Sequence, residues 1–173
     1  MSAVALDNVG VIAPHPEVFY FLGGEMLSSK AKYGLKAMVY LARHAQEGSV
    51  LIAEIAEAEN IPKKFLDAIL LELKNRGFLS SKKGKGGGYT LAKSPERIMV
   101  GDIVRVLDGP LAPVPCVSRL HYRRCEDCRD ENACTVRAVM GEVRDAIAGI
   151  LDNCTLADMA LNKRPEPILM YDI

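Results

Sequence analysis

The chain has 173 residues, 49% of them hydrophobic, which suffices for one sizeable core or for a small domain with a dimerising appendage. Lys plus Arg equals Asp plus Glu at 22 each, so overall charge points to no partner, but residues 26–93 carry 12 basic against 6 acidic side chains, while 1–25 and 94–173 are each net negative by three. No apolar run reaches membrane-spanning length and residues 1–25 hold no Lys or Arg to begin a secretory signal, so a cytoplasmic protein without a membrane partner is expected.

Residues 1–25 fit no amphipathic template. Gly23-Gly24-Glu25 before Met26 is a tripeptide that purine-rich codons encode, as in a ribosome-binding site, so this segment is expected to be either a tail or a stretch upstream of the true start. From Ser29 the pattern turns helical, with Tyr33, Leu35, Ala37, Met38, Leu41 and Ala42 at three- and four-residue steps until Gln46-Glu47-Gly48. Ile52 to Ala58 makes a short second helix and Glu59-Asn60-Ile61 a tight connection. Pro62 sits in the first turn of a third helix that runs to about Asn75. The apolar face of that helix is expected to be Phe65, Leu66, Ile69, Leu70 and Leu73, with Lys63, Lys64, Asp67, Lys74 and Arg76 outside. Two short helices, a tight turn and a basic outer face on the second form a helix-turn-helix.

After Gly77 the period changes to two. Phe78 to Lys83 and Tyr89 to Leu91 form a hairpin around Gly84-Lys85-Gly86-Gly87-Gly88, and Lys82, Lys83 and Lys85 surround its tip, as suits a wing lying on phosphates or entering a minor groove. A nucleotide-binding loop is excluded because no GK[ST] and no long helix follow. Ile98 to Leu107 is a further packed helix, and Gly109-Pro110 and Pro113-x-Pro115 open a polar loop. The longest helix runs from Thr135 to about Asn153, with Val136, Val139, Met140, Val143, Ile147, Ile150 and Leu151 in one stripe and Arg137, Glu142, Arg144, Asp145 and Asp152 opposite. Such a stripe calls for a partner, and a second copy of the chain is expected to supply it. Thr155 to Leu161 is a short final helix before a tail.

Between Cys116 and Cys134 lie four thiols in nineteen residues, spaced C-x8-C-x2-C-x5-C. Clustered cysteines in a charged loop of a reducing compartment suit a metal or iron-sulfur site better than a disulfide framework. A tetrahedral zinc site and a metal-free thiol switch stay open beside it. A small electron-transfer or redox enzyme is the remote alternative. No nucleophile and base accompany the thiols, and His15 and His44 fall in the tail and the first helix.

The segments LSSKAKYGLKAMVYLA (27–42) and IAEIAEAENIPKKFLDAILLELKNRGFLSSKKGKGGGYTLAK (52–93), with the cysteine loop behind them, resemble the Rrf2 family of bacterial winged-helix regulators from Leu27 to about Met159. The resemblance implies a dimeric, non-enzymatic transcriptional repressor that binds double-stranded operator DNA. It also implies an iron-sulfur cluster, first of all of the two-iron two-sulfur type, held by Cys116, Cys128 and Cys134 with Cys125 next. Where family members carry a histidine three residues after the last cysteine this chain has Arg137, and where some carry an aspartate before the first-helix tyrosine it has Lys32. All four loop cysteines, or His121 or a carboxylate of a second subunit, would then complete the set. The resemblance further assigns Asp67 to a cytosine amino group, Lys63 and Lys64 to phosphates or guanine edges, and Lys83 to the wing contact. Ser29, Lys30 and Tyr33 are assigned to the DNA backbone. Cys154 is expected to be a core thiol.

The expected fold is therefore mainly α. Residues 26–108 form a winged helix-turn-helix domain with a two-stranded β wing, 109–134 a cysteine-rich sensor loop, 135–161 a long dimerisation helix and short final helix, and 162–173 a tail.

Overall fold

The computed structural model describes residues 26–84 and 86–163; the expectations for residues 1–25, for the tail beyond 163 and for Lys85 lie outside them. Ser28 caps the first helix, α1 (Ser29–Arg43), by accepting the Ala31 N–H at 3.1 Å. Its own N–H donates to Asp108 Oδ2 at 2.8 Å, which ties the start of α1 to a distant helix end. α2 (Ile52–Ala58) and α3 (Lys63–Asn75) follow. Between them the chain reverses through Asn60 at φ 51°, a left-handed conformation that asparagine tolerates, while the Ile61 N–H reaches back to Ala56 O at 2.9 Å. Pro62 is the cap of α3 and not part of its first turn: its ψ of 122° is extended, and the helix starts one residue later than expected.

α4 (Val100–Asp108) packs across α1 so closely that a Cβ on Gly34 would lie 2.2 Å from Leu107 Cδ1. The core is built from Ala31, Ala37, Met38 and Leu41 of α1, Ile55 of α2, Leu66, Ile69, Leu70 and Leu73 of α3, and Ile103 and Leu107 of α4. Burial of these aliphatic groups is the main favourable term for the domain. Phe65, expected on the same inner face of α3, is instead 64% exposed. The core-facing side chains recur at steps of three, one and three, and Phe65 lies at the edge of that stripe, where the helix turns outward.

The wing is an antiparallel pair, β1 (Leu79–Lys82) with β2 (Gly88–Leu91), in the register Leu79 to Leu91 and Lys82 to Gly88. Val50, in the link between α1 and α2, bridges the far side of Tyr89 with N–H···O distances of 3.0 and 2.8 Å. Ser49 Oγ donates to Gly86 O at 2.7 Å beside it. The hairpin is thus tied to the helical domain along β2 and close to its tip.

α5 (Thr135–Leu151) is the longest helix and contains no fully buried residue. Val136, Val139 and Ile150 of its expected stripe are each at least half exposed. At its far end the chain returns to the domain: Val100 N–H donates to Cys154 O at 2.9 Å, and Leu156 N–H to Ile98 O at 2.8 Å. α6 (Leu156–Ala160) then inserts the fully buried Leu156 beneath α1. Cys154 is buried as expected, in the link after α5. Arg105 of α4 clamps Asp152 through two parallel hydrogen bonds of 2.6 and 2.7 Å.

Candidate nucleic-acid interface and thiol site

The outer face of α3 is set by its own periodicity. With Leu66, Ile69, Leu70 and Leu73 turned inward, Lys64, Asp67, Ala68, Leu71 and Asn75 form the opposite stripe, and all are exposed. Lys63 stands beside them in the first turn. The wing leaves β1 with Lys82 and Lys83 in solvent, so basic groups flank the helix from the hairpin as well. Asp67 lies near enough to Tyr89 of β2 that its carboxylate, after burial of the ring, helps hold the phenol above its usual range. The outer face of α3 thus carries Asp67 with Lys63 and Lys64 towards its N-terminal end, and the wing adds the exposed Lys82 and Lys83.

The candidate DNA-backbone contacts at the start of α1 stand in different surroundings. Ser29 is exposed, but Lys30 is engaged by Glu72 of α3 at 2.7 Å, and Tyr33 is half-buried against the core with the Lys32 ammonium 5.9 Å from its ring. Lys30 thus links α1 to α3 through a solvent-exposed pair that is weak enough for a phosphate to compete for the ammonium.

The thiols gather at the N-terminus of α5. Cys134 caps the helix, its Sγ accepting the Arg137 N–H at 3.4 Å, and Cys116 is buried in a short turn over Pro115–Val117. Both line a cleft of about 450 Å³ with Tyr122, Glu131, Arg137 and Arg144. Cys125, placed after the others by the sequence, lies beside Cys116 and in the field of Cys134. The neighbouring Cys116 thiol, partial desolvation and Asp127 together push its thiol up. Cys128 follows in a turn closed by its N–H on Cys125 O at 3.2 Å. Among the described residues no three His, Cys, Asp or Glu side chains form a closed metal-ligating set. His121 is exposed on the neighbouring turn, its N–H bonded to Ser118 Oγ at 3.0 Å.

Two arginines that the sequence placed on the solvent side of α5 hold this loop. Arg144 Nη1 donates to Val117 O at 2.5 Å and Arg137 Nε to Cys116 O at 3.4 Å. Their seven-residue spacing puts both on one helix face, the signal in the sequence that could have joined them to a common partner. Arg144 also pairs with Asp145 at 2.7 Å, which holds that carboxyl below the ordinary range.

A helix-turn-helix, an anchored two-stranded wing and a long helix beyond them define a winged-helix transcriptional regulator and not an enzyme. The Rrf2 family, described as iron-dependent transcriptional regulators, matches residues 27–162, and the chain belongs to it. An Rrf2-like HTH-type transcriptional regulator of Rhodobacter capsulatus is 42% identical over 150 residues, spanning 85% of this chain and 100% of that one. Among solved structures, CymR of B. subtilis, titled its global cysteine regulator, superposes with a TM-score of 0.66 at 34% identity, covering 79% of this chain and 96% of that one. IscR of T. potens gives 0.63 at 34% identity, with 80% and 88% covered. No helix among the described residues is long and apolar enough to cross a membrane.

Proposed function

We propose that the protein is a homodimeric repressor that binds promoter DNA through α3 and the wing, and whose cysteine loop holds an iron-sulfur cluster reporting redox state, iron or nitric oxide. The observation that carries this reading is the gathering of Cys116, Cys125 and Cys134 at the N-terminus of a helix whose apolar stripe is uncovered. Thiols are the donors that iron-sulfur clusters take, and the loop supplies four of them in nineteen residues, which cluster binding would have to draw together, since no three form a ligating set among the described residues. Bound there, the cluster would supply a redox-active and chemically labile centre. The chain's own residues do the rest. Arg137 and Arg144 join the loop to α5, so ordering the loop fixes the start of the helix, and a twin helix on the stripe passes that order to the spacing of the two α3 helices. The contact between Cys125 and Cys116 also supports a metal-free reading, in which an oxidant removes two electrons and two protons from the pair to form a disulfide.

Protein purified without oxygen is the material for the test. Visible absorption with matching iron and sulfide, lost together with operator discrimination in Cys116→Ala and Cys134→Ala, is the expected result. Colourless, iron-free protein would sink the cluster reading. A Cys116–Cys125 disulfide in peptide mass maps of such protein would install the thiol switch instead, and stoichiometric zinc would make the loop a structural site.

A further inference from the structure

Leu71 is a large apolar side chain on the outer face of α3. It lies in the middle of the outer stripe of α3, one turn beyond Asp67 and Ala68 and opposite the buried Leu66, Ile69, Leu70 and Leu73. It is 51% exposed, and its neighbours on that face are Lys64, Asp67, Ala68 and Asn75. A singly exposed leucine is ordinary on a protein surface. What marks this one is its place on the face that carries Lys64 and Asp67, where a docked twin chain would bring Lys63 and Lys64 near their own copies. The surrounding lysines of α3 and the wing instead suit a polyanion. In the major groove the one apolar group a base edge offers is the C5-methyl of thymine.

We infer that Leu71, with Ala68 beside it, is a specificity-determining apolar contact that reads thymine methyl groups next to the base pair read by Asp67. The inference rests on the DNA-binding reading above and names what that face of the helix selects. Phe65, exposed six residues earlier, lies round the helix towards Glu72 and Lys30 and is not part of this stripe.

The experiment selects binding sites for the full chain from random double-stranded DNA. It then replaces each thymine of the selected site in turn by deoxyuridine, which removes only the methyl group. At one or two positions the wild-type protein is expected to lose about fourfold in affinity per methyl, the ratio that burial of one such group represents. Leu71→Gln, which keeps helix propensity, and Leu71→Ala are expected to bind the thymine and deoxyuridine sites alike at those positions, with unchanged far-ultraviolet dichroism. The inference is overturned if the selected site holds no thymine in its core, if the wild type ignores every replacement, or if both variants keep the penalty. It is also overturned if they change the oligomeric mass, which would make the leucine a contact between copies. A protein that binds no DNA at any stage overturns the DNA-binding reading itself, an outcome distinct from sequence-selective binding without methyl sensitivity.

Discussion

Gly88 shows how a single residue holds the wing to the domain. Its φ of +147° is open to glycine alone, and a Cβ there would lie 2.3 Å from Val50 O, in the middle of the bridge that anchors Tyr89. Gly88→Ala is expected to cost more than about 2 kcal/mol in denaturant unfolding, because strain and a broken bridge add. A loss below about 0.5 kcal/mol, within the range of ordinary surface changes, would mean that the bridge contributes little. Asp158 illustrates an electrostatic contribution at the same scale. Its carboxyl accepts from the Thr155 hydroxyl at 2.6 Å and the Thr155 N–H at 3.1 Å, and these bonds, with Lys163 helping, hold it below the ordinary carboxylate range. A depressed native pKa stabilises the fold above the unfolded value of about 4, and that contribution is lost as pH falls through the native one. Asp158→Asn should therefore flatten the decline of stability below about pH 4, and an unchanged acid slope would show that the cap does not carry it.

At the scale of elements, α5 is the one that a single chain leaves unfinished. Its stripe is exposed at Val136, Val139 and Ile150 and no residue in it is buried, so an aspartate at Val139 should disturb the monomer little. Val139→Asp is expected to convert dimer to monomer in sedimentation and to weaken operator binding by at least about tenfold, since two half-sites are then held separately. A dimer of unchanged stability would place the subunit contact elsewhere. This stripe was legible in the sequence because one period governs seventeen residues without interruption. The helix-turn-helix and the hairpin were legible for similar reasons, the switch from a period of 3.6 to one of two falling at Gly77. What escaped was set by tertiary position. Phe65 fits the apolar repeat of α3 and still points outward, because the core covers a narrower arc than the repeat allows. The nearness of Cys125 to Cys116 depends on how a loop folds over its short turn, which linear spacing does not encode. The capture of Lys30 by Glu72 likewise needs the crossing of α1 over α3.

For the whole molecule the relevant quantity is the separation of charge along the chain. The basic segment from 26 to 93 forms the helix-turn-helix and wing, so binding should weaken steeply as salt rises. Lys83→Ala is expected to lower affinity for all sequences and reduce the salt slope by about one. Asp67→Ala should leave the slope alone and relax base preference, and identical behaviour of the two variants would remove that division of labour. The tethering of α5 has a mechanical consequence. Its C-terminal end is fixed to the domain by the Arg105–Asp152 clamp and the strand-like joins around Cys154, whereas its first ten residues, from the N-terminus to Arg144, are held through side chains that grip the thiol loop. A rod of 17 residues is about 25 Å long, so pivoting it by about 10° on the clamped end carries the other end about 4 Å. The loop therefore sits at the end of a lever whose fulcrum is built into α4, and a change of an ångström or two at the thiols tilts the helix by only a few degrees. A dimer contact spread along that helix would register the tilt most strongly near the loop and hardly at all near Leu151.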